Sequence, residues 1–146
     1  MTKILVIHGP NLNLLGEREV DIYGKMDLKS INEAILKKAK SLKADVEFLQ
    51  SNHEGEIVEA IGKARGKFDA IVINPAAYTH TSIAIRDAIS AVRVPAIEVH
   101  LSNIYGREEF RQKSLISPVA RGIISGFGVD SYILGIEAAA AIGKKG

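Results

Sequence analysis

Short apolar, β-rich runs alternate with amphipathic stretches from one end of this chain to the other, and that alternation narrows the possible folds more than any other feature. Residues 4–8 form an apolar run closed by His8, the pattern of a strand covered on both faces. Residues 46–50, 70–74, 96–101 and 122–125 repeat it in shorter form. Between them lie helical patterns. Asp27 stands where an N-cap belongs, ahead of a stripe of Leu28, Ile31, Ile35, Ala39 and Leu42. Lys29, Lys37, Lys40 and Lys43 occupy much of the remaining surface, which reads as a solvated face. A second helix is predicted over 54–65, burying Ile57, Ile61 and Ala64, and a third over 81–92, ended by Pro95 and its predecessor. A shorter helix is predicted after Arg107, and an Ala-rich one over 130–142, stopping at Gly143.

Strands alternating with helices imply an α/β fold, with parallel strands, right-handed crossovers and helices on both faces. Five strands suit a flavodoxin-like three-layer sandwich with the order 2-1-3-4-5. With 146 residues, no repeats and no linker, residues 1–146 are expected to form a single domain. In such sheets ligands bind beyond the carboxyl ends of the strands, near the switch point beside the first strand.

Composition limits the chemistry available there. The chain has no Cys, which excludes thiolate nucleophiles and Cys-ligated metals. Its 19 Lys and Arg against 17 Asp and Glu leave only +2, without a basic block, and aromatic residues are 5% with no Trp. That argues against a nucleic-acid surface. The first apolar run is too short for a signal peptide or membrane helix, so a cytoplasmic protein with no membrane partner is expected. The four His show no metal-binding helix spacing, so no metal is expected.

Three loops at the strand ends carry the polar residues that the fold itself does not need. The first runs from His8 to Asp27, far longer than the usual ~2–6-residue βα connection. Between Gly16 and Gly24 it holds Arg18 and Tyr23. A tyrosine becomes a base near neutral pH only when cations stabilise its phenolate, and an arginine on the same loop can supply that charge. The loop alone is equally compatible with a structured turn plugged by Tyr23. It has neither the dinucleotide nor the Walker glycine spacing. The second loop, Asn74-Pro75-Ala76-Ala77-Tyr78-Thr79-His80-Thr81-Ser82, offers the Asn74 amide, His80 and small residues that admit a substrate close to the backbone. Capping of the next helix by Thr79 or Thr81 is compatible with that role. His53 reads as part of a turn and helix cap rather than a site.

The third block is Glu98-Val99-His100-Leu101-Ser102-Asn103. Residues i and i+2 share a strand face, so Glu98 and His100 project to the same side. A carboxylate beside an imidazole fixes its tautomer and favours its protonated form, as a general acid requires. Two ionisable groups in a buried strand are expensive unless paired, which favours function over a purely structural pair. Ser102 and the Leu101 and Ser102 amides follow, where a substrate carboxylate could be held. Arg107 and Arg111, spaced i,i+4, offer cations for either solvation or anion recognition.

The blocks from Gly9 to Gly24, with Asn11, Arg18 and Tyr23, from Asn74 to Ser82, from Glu98 to Asn103 and from Arg107 to Arg111 together resemble type II 3-dehydroquinate dehydratases, in order and across nearly the whole chain. Val20 departs from the family, in which many members have Pro. The resemblance implies a hydro-lyase that dehydrates 3-dehydroquinate to 3-dehydroshikimate in the shikimate pathway, through an enolate, with no Schiff base and no cofactor. It implies Tyr23 as base, Arg18 as the cation holding Tyr23 ionised, Asn11 supporting the enolate oxygen through a water, and His100, oriented by Glu98, as acid. Asn74, His80, the Leu101 and Ser102 amides and Arg111 are implied to bind the substrate. Family members form homododecamers built from trimers, which implies that Asp87, otherwise a surface carboxylate, reaches a neighbouring subunit's site. A flavin-binding module and a phospho-receiver domain share the expected topology. The first would prefer aromatic or hydroxyl-rich loops, and the second needs an acidic cluster after strand 1 and an Asp after strand 3, where this chain has His8 and Asn74.

Overall fold

Runs of Val, Ile and Ala with no polar face must be covered on both sides, and the chain meets that demand by placing them in one parallel sheet between two pairs of helices. The computed structural model describes residues 1–17 and 26–145. Among these the strands are β1 (Thr2–His8), β2 (Ala44–Gln50), β3 (Ala70–Asn74), β4 (Ala96–His100) and β5 (Gly122–Ser125). They pair in the order β2-β1-β3-β4-β5, all parallel, which is the flavodoxin-like arrangement expected from the alternation. The helices are α1 (Leu28–Ser41), α2 (Glu54–Gly62), α3 (Ile83–Val92) and α4 (Val129–Lys145). No helix among the described residues is long and apolar enough to cross a membrane.

Side-chain alternation along the strands divides the core in two. Ile4, Val6, Val72, Ile97 and Val99 face α1 and α4, meeting Ile31, Ile35 and Ile136. Leu5, Ile7, Ile71, Ile73 and Ala96 face α2 and α3, meeting Ile57, Ile61, Ile85 and Ile89. Asp27 caps α1 as expected, its carboxylate accepting the Ser30 N–H at 2.9 Å.

Three local expectations are corrected, and that of His53 as part of a turn and helix cap is refined. After Arg107 there is no α-helix: 3-10 turns at Ile104–Gly106 and Glu109–Arg111 are separated by extended backbone at Arg107 and Glu108, so Arg107 and Arg111 do not share a helix face. Helix α3 starts at Ile83, and neither Thr79 nor Thr81 caps it; the Ser82 hydroxyl does, accepting the Ile85 N–H at 2.9 Å. His53 occupies the N-cap position of α2 without a side-chain cap bond; the Ser51 hydroxyl accepts the His53 N–H instead, at 2.9 Å. Gly143 does not end the last helix. It is a contact point, where an added Cβ would lie 2.5 Å from Thr2 Cγ2 on β1.

A buried polar chain links the helices to the carboxyl end of the sheet. His8, fully buried, lies 2.7 Å from Asn32 Oδ1 on α1 through Nε2 and 2.8 Å from the Tyr132 hydroxyl on α4 through Nδ1. A neutral imidazole that donates from Nε2 and accepts the tyrosine proton at Nδ1 satisfies both contacts. Phe48 stacks on the ring, with centroids 6.0 Å apart. Burial pushes the His8 pKa down from 6.5 to about 4, although the Asn32 bond opposes this. Burial likewise raises the Tyr132 phenol, against a hydrogen bond with Asn74 that lowers it.

Two stability outcomes follow from this packing. Gly135 of α4 rests on the sheet so closely that a Cβ would lie 2.8 Å from Val99 Cγ1 and 3.3 Å from Val72 Cγ1. Gly135→Ala gains about 1 kcal/mol of helix propensity but forces two stiff β-branched side chains, at a cost of about 1–3 kcal/mol. A lower urea midpoint at unchanged m-value is the expected result. His8 supplies the second. As pH falls from about 6.5 towards 4, the unfolded chain takes up a proton that the native imidazole refuses. Its contribution, ~3 kcal/mol at most, is therefore complete above 6.5 and lost as pH falls through that window. Urea midpoints for the wild type should drop between pH 7 and pH 4.5 more steeply than those of His8→Gln.

Candidate active site

The end of the sheet predicted to bind ligand is where three excursions converge, after β1, after β3 and after β4. They enclose a cleft of about 120 Å³ lined by Asn11, Asn74, Ala76, Ala77, His80, His100, Leu101, Ser102, Arg107 and Arg111. Nine of the sequence-selected residues are accounted for here: eight line the cleft, and Glu98 lies beneath it, bonded to His100. Arg18 and Tyr23 lie outside the described residues. Asp87 is exposed on α3 and does not line the cleft of its own chain.

Backbone proximity sets the floor. Gly9 donates its N–H to the Asn74 carbonyl at 2.8 Å, and a Cβ on Gly9 would lie 2.5 Å from the Pro75 carbonyl oxygen. Only glycine lets the β1 excursion cross the end of β3 at this distance. Leu12 and Leu15 then anchor that excursion in the α1–α4 core. Asn11 takes a left-handed backbone, φ 68°, which asparagine tolerates well, and its N–H donates to Asn52 Oδ1 at 2.9 Å. Asn52, which the sequence reading did not select, also accepts the Tyr78 hydroxyl on its carbonyl at 2.8 Å, tying three loops together.

Asn74 ends β3 almost fully buried, and its Oδ1 accepts the Ala76 N–H at 3.1 Å. That bond fixes the amide, turning its NH₂ away from Ala76 and towards Tyr132 and the cleft. Ala76 is itself left-handed, φ 53°, a conformation that costs a non-glycine residue about 1 kcal/mol or more. His80 donates Nδ1–H to the Lys113 carbonyl at 2.8 Å, which leaves Nε2 as an acceptor while the ring is neutral. Burial lowers its pKa, and the charges of His100 and Arg111 add to this, while the Lys113 bond and Glu98 oppose it.

Glu98 and His100 point the same way from β4, as the i,i+2 spacing required. His100 Nε2 is 2.5 Å from Glu98 Oε2, and both residues are buried. Glu98 has two further partners that the sequence did not reveal. The Ser114 hydroxyl donates to Oε2 at 2.8 Å and the Ser117 hydroxyl to Oε1 at 2.6 Å. Burial alone would push the Glu98 carboxyl up; the bond and charge of His100, then Ser117 and Ser114, outweigh it and hold the group below its ordinary value. These serines stand 16 and 19 positions beyond Glu98, and no local periodicity connects them to it.

Arg107 and Arg111 bring positive charge to the cleft lining. Glu108 orients both, at 2.7 Å from Arg111 Nε and 3.7 Å from Arg107 Nε. The Arg111 bond is the main reason that the Glu108 carboxyl lies below its usual range. Among the described residues no three His, Asp or Glu side chains converge in a manner suited to a metal. The cleft thus combines a buried carboxylate–imidazole pair able to move a proton, a neutral imidazole and an amide able to bind hydroxyls, and two guanidinium groups able to hold an anion.

Comparison with known proteins agrees with this chemistry. The family model described as dehydroquinase class II matches residues 2–140. The 3-dehydroquinate dehydratase of Acaryochloris marina is 61% identical over 135 residues, 92% of this chain and 91% of that protein. That of Geotalea daltonii is 60% identical over 136 residues, 93% and 94%. The crystal structure of the type II dehydroquinase from Butyrivibrio crossotus superposes with a TM-score of 0.92 at 49% identity, covering 94% of this chain and 97% of that one. The chain belongs to the class II dehydroquinases.

Proposed function

We propose that this dehydroquinase removes water from 3-dehydroquinate to give 3-dehydroshikimate, a step of the shikimate pathway leading to aromatic amino acids. The observation that carries the reading is the buried Glu98–His100 pair opening onto a cleft walled by Arg107 and Arg111. The substrate is a carboxylated β-hydroxy ketone, and each of its groups has a counterpart. In this reading Arg111 and the Leu101 and Ser102 amides receive the carboxylate, while Asn74 and His80 position the ring hydroxyls.

Tyr23, as phenolate beside Arg18, takes a proton from the carbon next to the ketone. The C–H electrons move into the enolate, whose oxygen is supported by Asn11 through a water, as preorganised donors do. Collapse of the enolate expels the β-hydroxyl, which takes a proton from His100 and leaves as water. One proton is taken and one given, so the reaction needs no redox partner, and the proposal includes no cofactor or metal. The roles of Tyr23 and Arg18 rest on the motif that carries them.

We also propose that the catalytic unit is a single domain acting in the cytoplasm as a homododecamer of trimers. Tyr105, Phe110, Ile123, Phe127 and Leu134 leave large apolar surfaces exposed on the chain, which favours self-association. Asp87, exposed on α3, is assigned to a neighbouring subunit's site.

Adding 3-dehydroquinate to the purified protein should raise the absorbance of the conjugated enone, and no rise with folded protein rejects the activity. Tyr23→Phe should lower kcat by about 10²–10⁴-fold with little change in KM; an unchanged kcat removes Tyr23 as the base. Asp87→Ala should raise KM or shift the assembly to smaller species in sedimentation velocity. Loss of neither excludes its role between subunits.

A further inference from the structure

We infer that Ser114 and Ser117 are positioning residues for the proton donor, locking the Glu98 carboxylate in the orientation that holds His100; the inference rests on the reading of His100 as the acid. Neither hydroxyl lines the cleft, so neither meets the substrate. Their effect passes through Glu98.

Ser114 has no freedom in what it does with its proton. Its oxygen accepts the N–H of Ile116 at 3.1 Å and that of Ser117 at 3.0 Å, which uses both lone pairs. The single hydroxyl hydrogen is left for Glu98 Oε2 at 2.8 Å. Ser117 takes the other carboxylate oxygen at 2.6 Å. The carboxylate plane is thus pinned from both ends, with Oε2 also presented to His100 Nε2. A carboxyl group that rotated or took up a proton would lose at least one of these donors.

The segment carrying the serines is itself fixed. Ile116 is fully buried in the α2–α3 core, the Leu115 N–H donates to the Thr79 carbonyl at 2.9 Å, and the Lys113 carbonyl accepts from His80. One short stretch therefore orients both the acid pair and a histidine of the binding wall. The titratable groups facing Glu98 are His100 on its own strand and His80 from the turn Ala76–His80; Arg111, in the excursion after β4, acts on His80. The helices packed beneath contribute the apolar side chains of Ile57, Ile61, Ile85 and Ile89.

Ser117→Ala tests the assignment with least damage, because Ser114 keeps its loop bonds. Loss of a hydrogen bond to a charged acceptor should lower kcat about tenfold while KM stays within about twofold. The acidic limb of the kcat profile should move up by about one pH unit, since Glu98 then takes up a proton more readily. Ser117→Thr, which keeps the hydroxyl, should restore both. A pH profile for Ser117→Ala that superimposes on the wild type overturns the inference. So does a uniform loss at every pH, with a lowered Tm, that threonine does not rescue. Carbon-13 NMR of glutamate-labelled protein gives a readout independent of substrate: the Glu98 carboxylate should titrate at higher pH in Ser117→Ala than in the wild type, and identical titrations reject the idea. A wild type inactive on 3-dehydroquinate would defeat the functional reading, while this titration would still decide whether the serines hold Glu98.

Discussion

A carboxylate with no exposed surface in the middle of a parallel sheet is the constraint around which this cleft is organised. Removing such a charge from water costs several kcal/mol unless donors replace the lost hydration. Glu98 obtains three, from His100, Ser114 and Ser117. To bring two of them back over β4, the chain between β4 and β5 must leave the sheet, turn three times through 3-10 segments and return. The same excursion carries Arg107 and Arg111 to the lining of the cleft. Satisfying one buried anion thus also places the cationic groups that would face the substrate.

The opposite face of the sheet has its own buried polar chain, from Asn32 through His8 and Tyr132 to Asn74. Strand parity explains why the two networks stay apart. His8 follows Ile4 and Val6 towards α1 and α4, whereas Glu98 and His100 follow Ala96 towards α2 and α3. They meet only at the carboxyl edge, where Asn74 and His100 line the same cleft.

The strand–helix alternation, the Asp27 cap and the Glu98–His100 pairing were legible because each rests on a short-range rule, two-residue or 3.6-residue periodicity or a cap next to its helix, and the sheet order came with the fold class that the alternation implies. What was not legible depends on distance in the chain. The Ser114 and Ser117 bonds to Glu98 span 16 and 19 residues, and the His8–Tyr132 bond spans 124. The helix expected after Arg107 failed because i,i+4 charge spacing resembles a helix face, while the tertiary need to reach Glu98 breaks the segment into turns. Gly143 misled for a related reason: it looked like a stop signal but serves a close approach to Thr2. Loop length and charge drew attention to Arg18 and Tyr23 without separating a catalytic pair from a plugged turn; the family resemblance supplied their roles and the intersubunit role of Asp87.

Three histidines at one edge of one sheet show how partners, rather than residue type, assign roles. His8 is sealed between Asn32, Tyr132 and Phe48, and burial keeps it neutral to about pH 4. His80 is partly exposed, gives one N–H to a carbonyl and lies near Arg111, which also favours the neutral ring. Of these three, His100 is the one with a carboxylate bonded to its ring, and that anion is itself held by two hydroxyl groups. A neutral imidazole can accept a substrate hydroxyl, and a fixed imidazole–carboxylate pair can deliver a proton; an edge that needs both must keep their surroundings different. The sheet achieves this by placing His80 in the turn after β3 against a backbone carbonyl and His100 at the end of β4 against a carboxylate, so that binding and proton delivery occupy neighbouring positions without competing for the same proton.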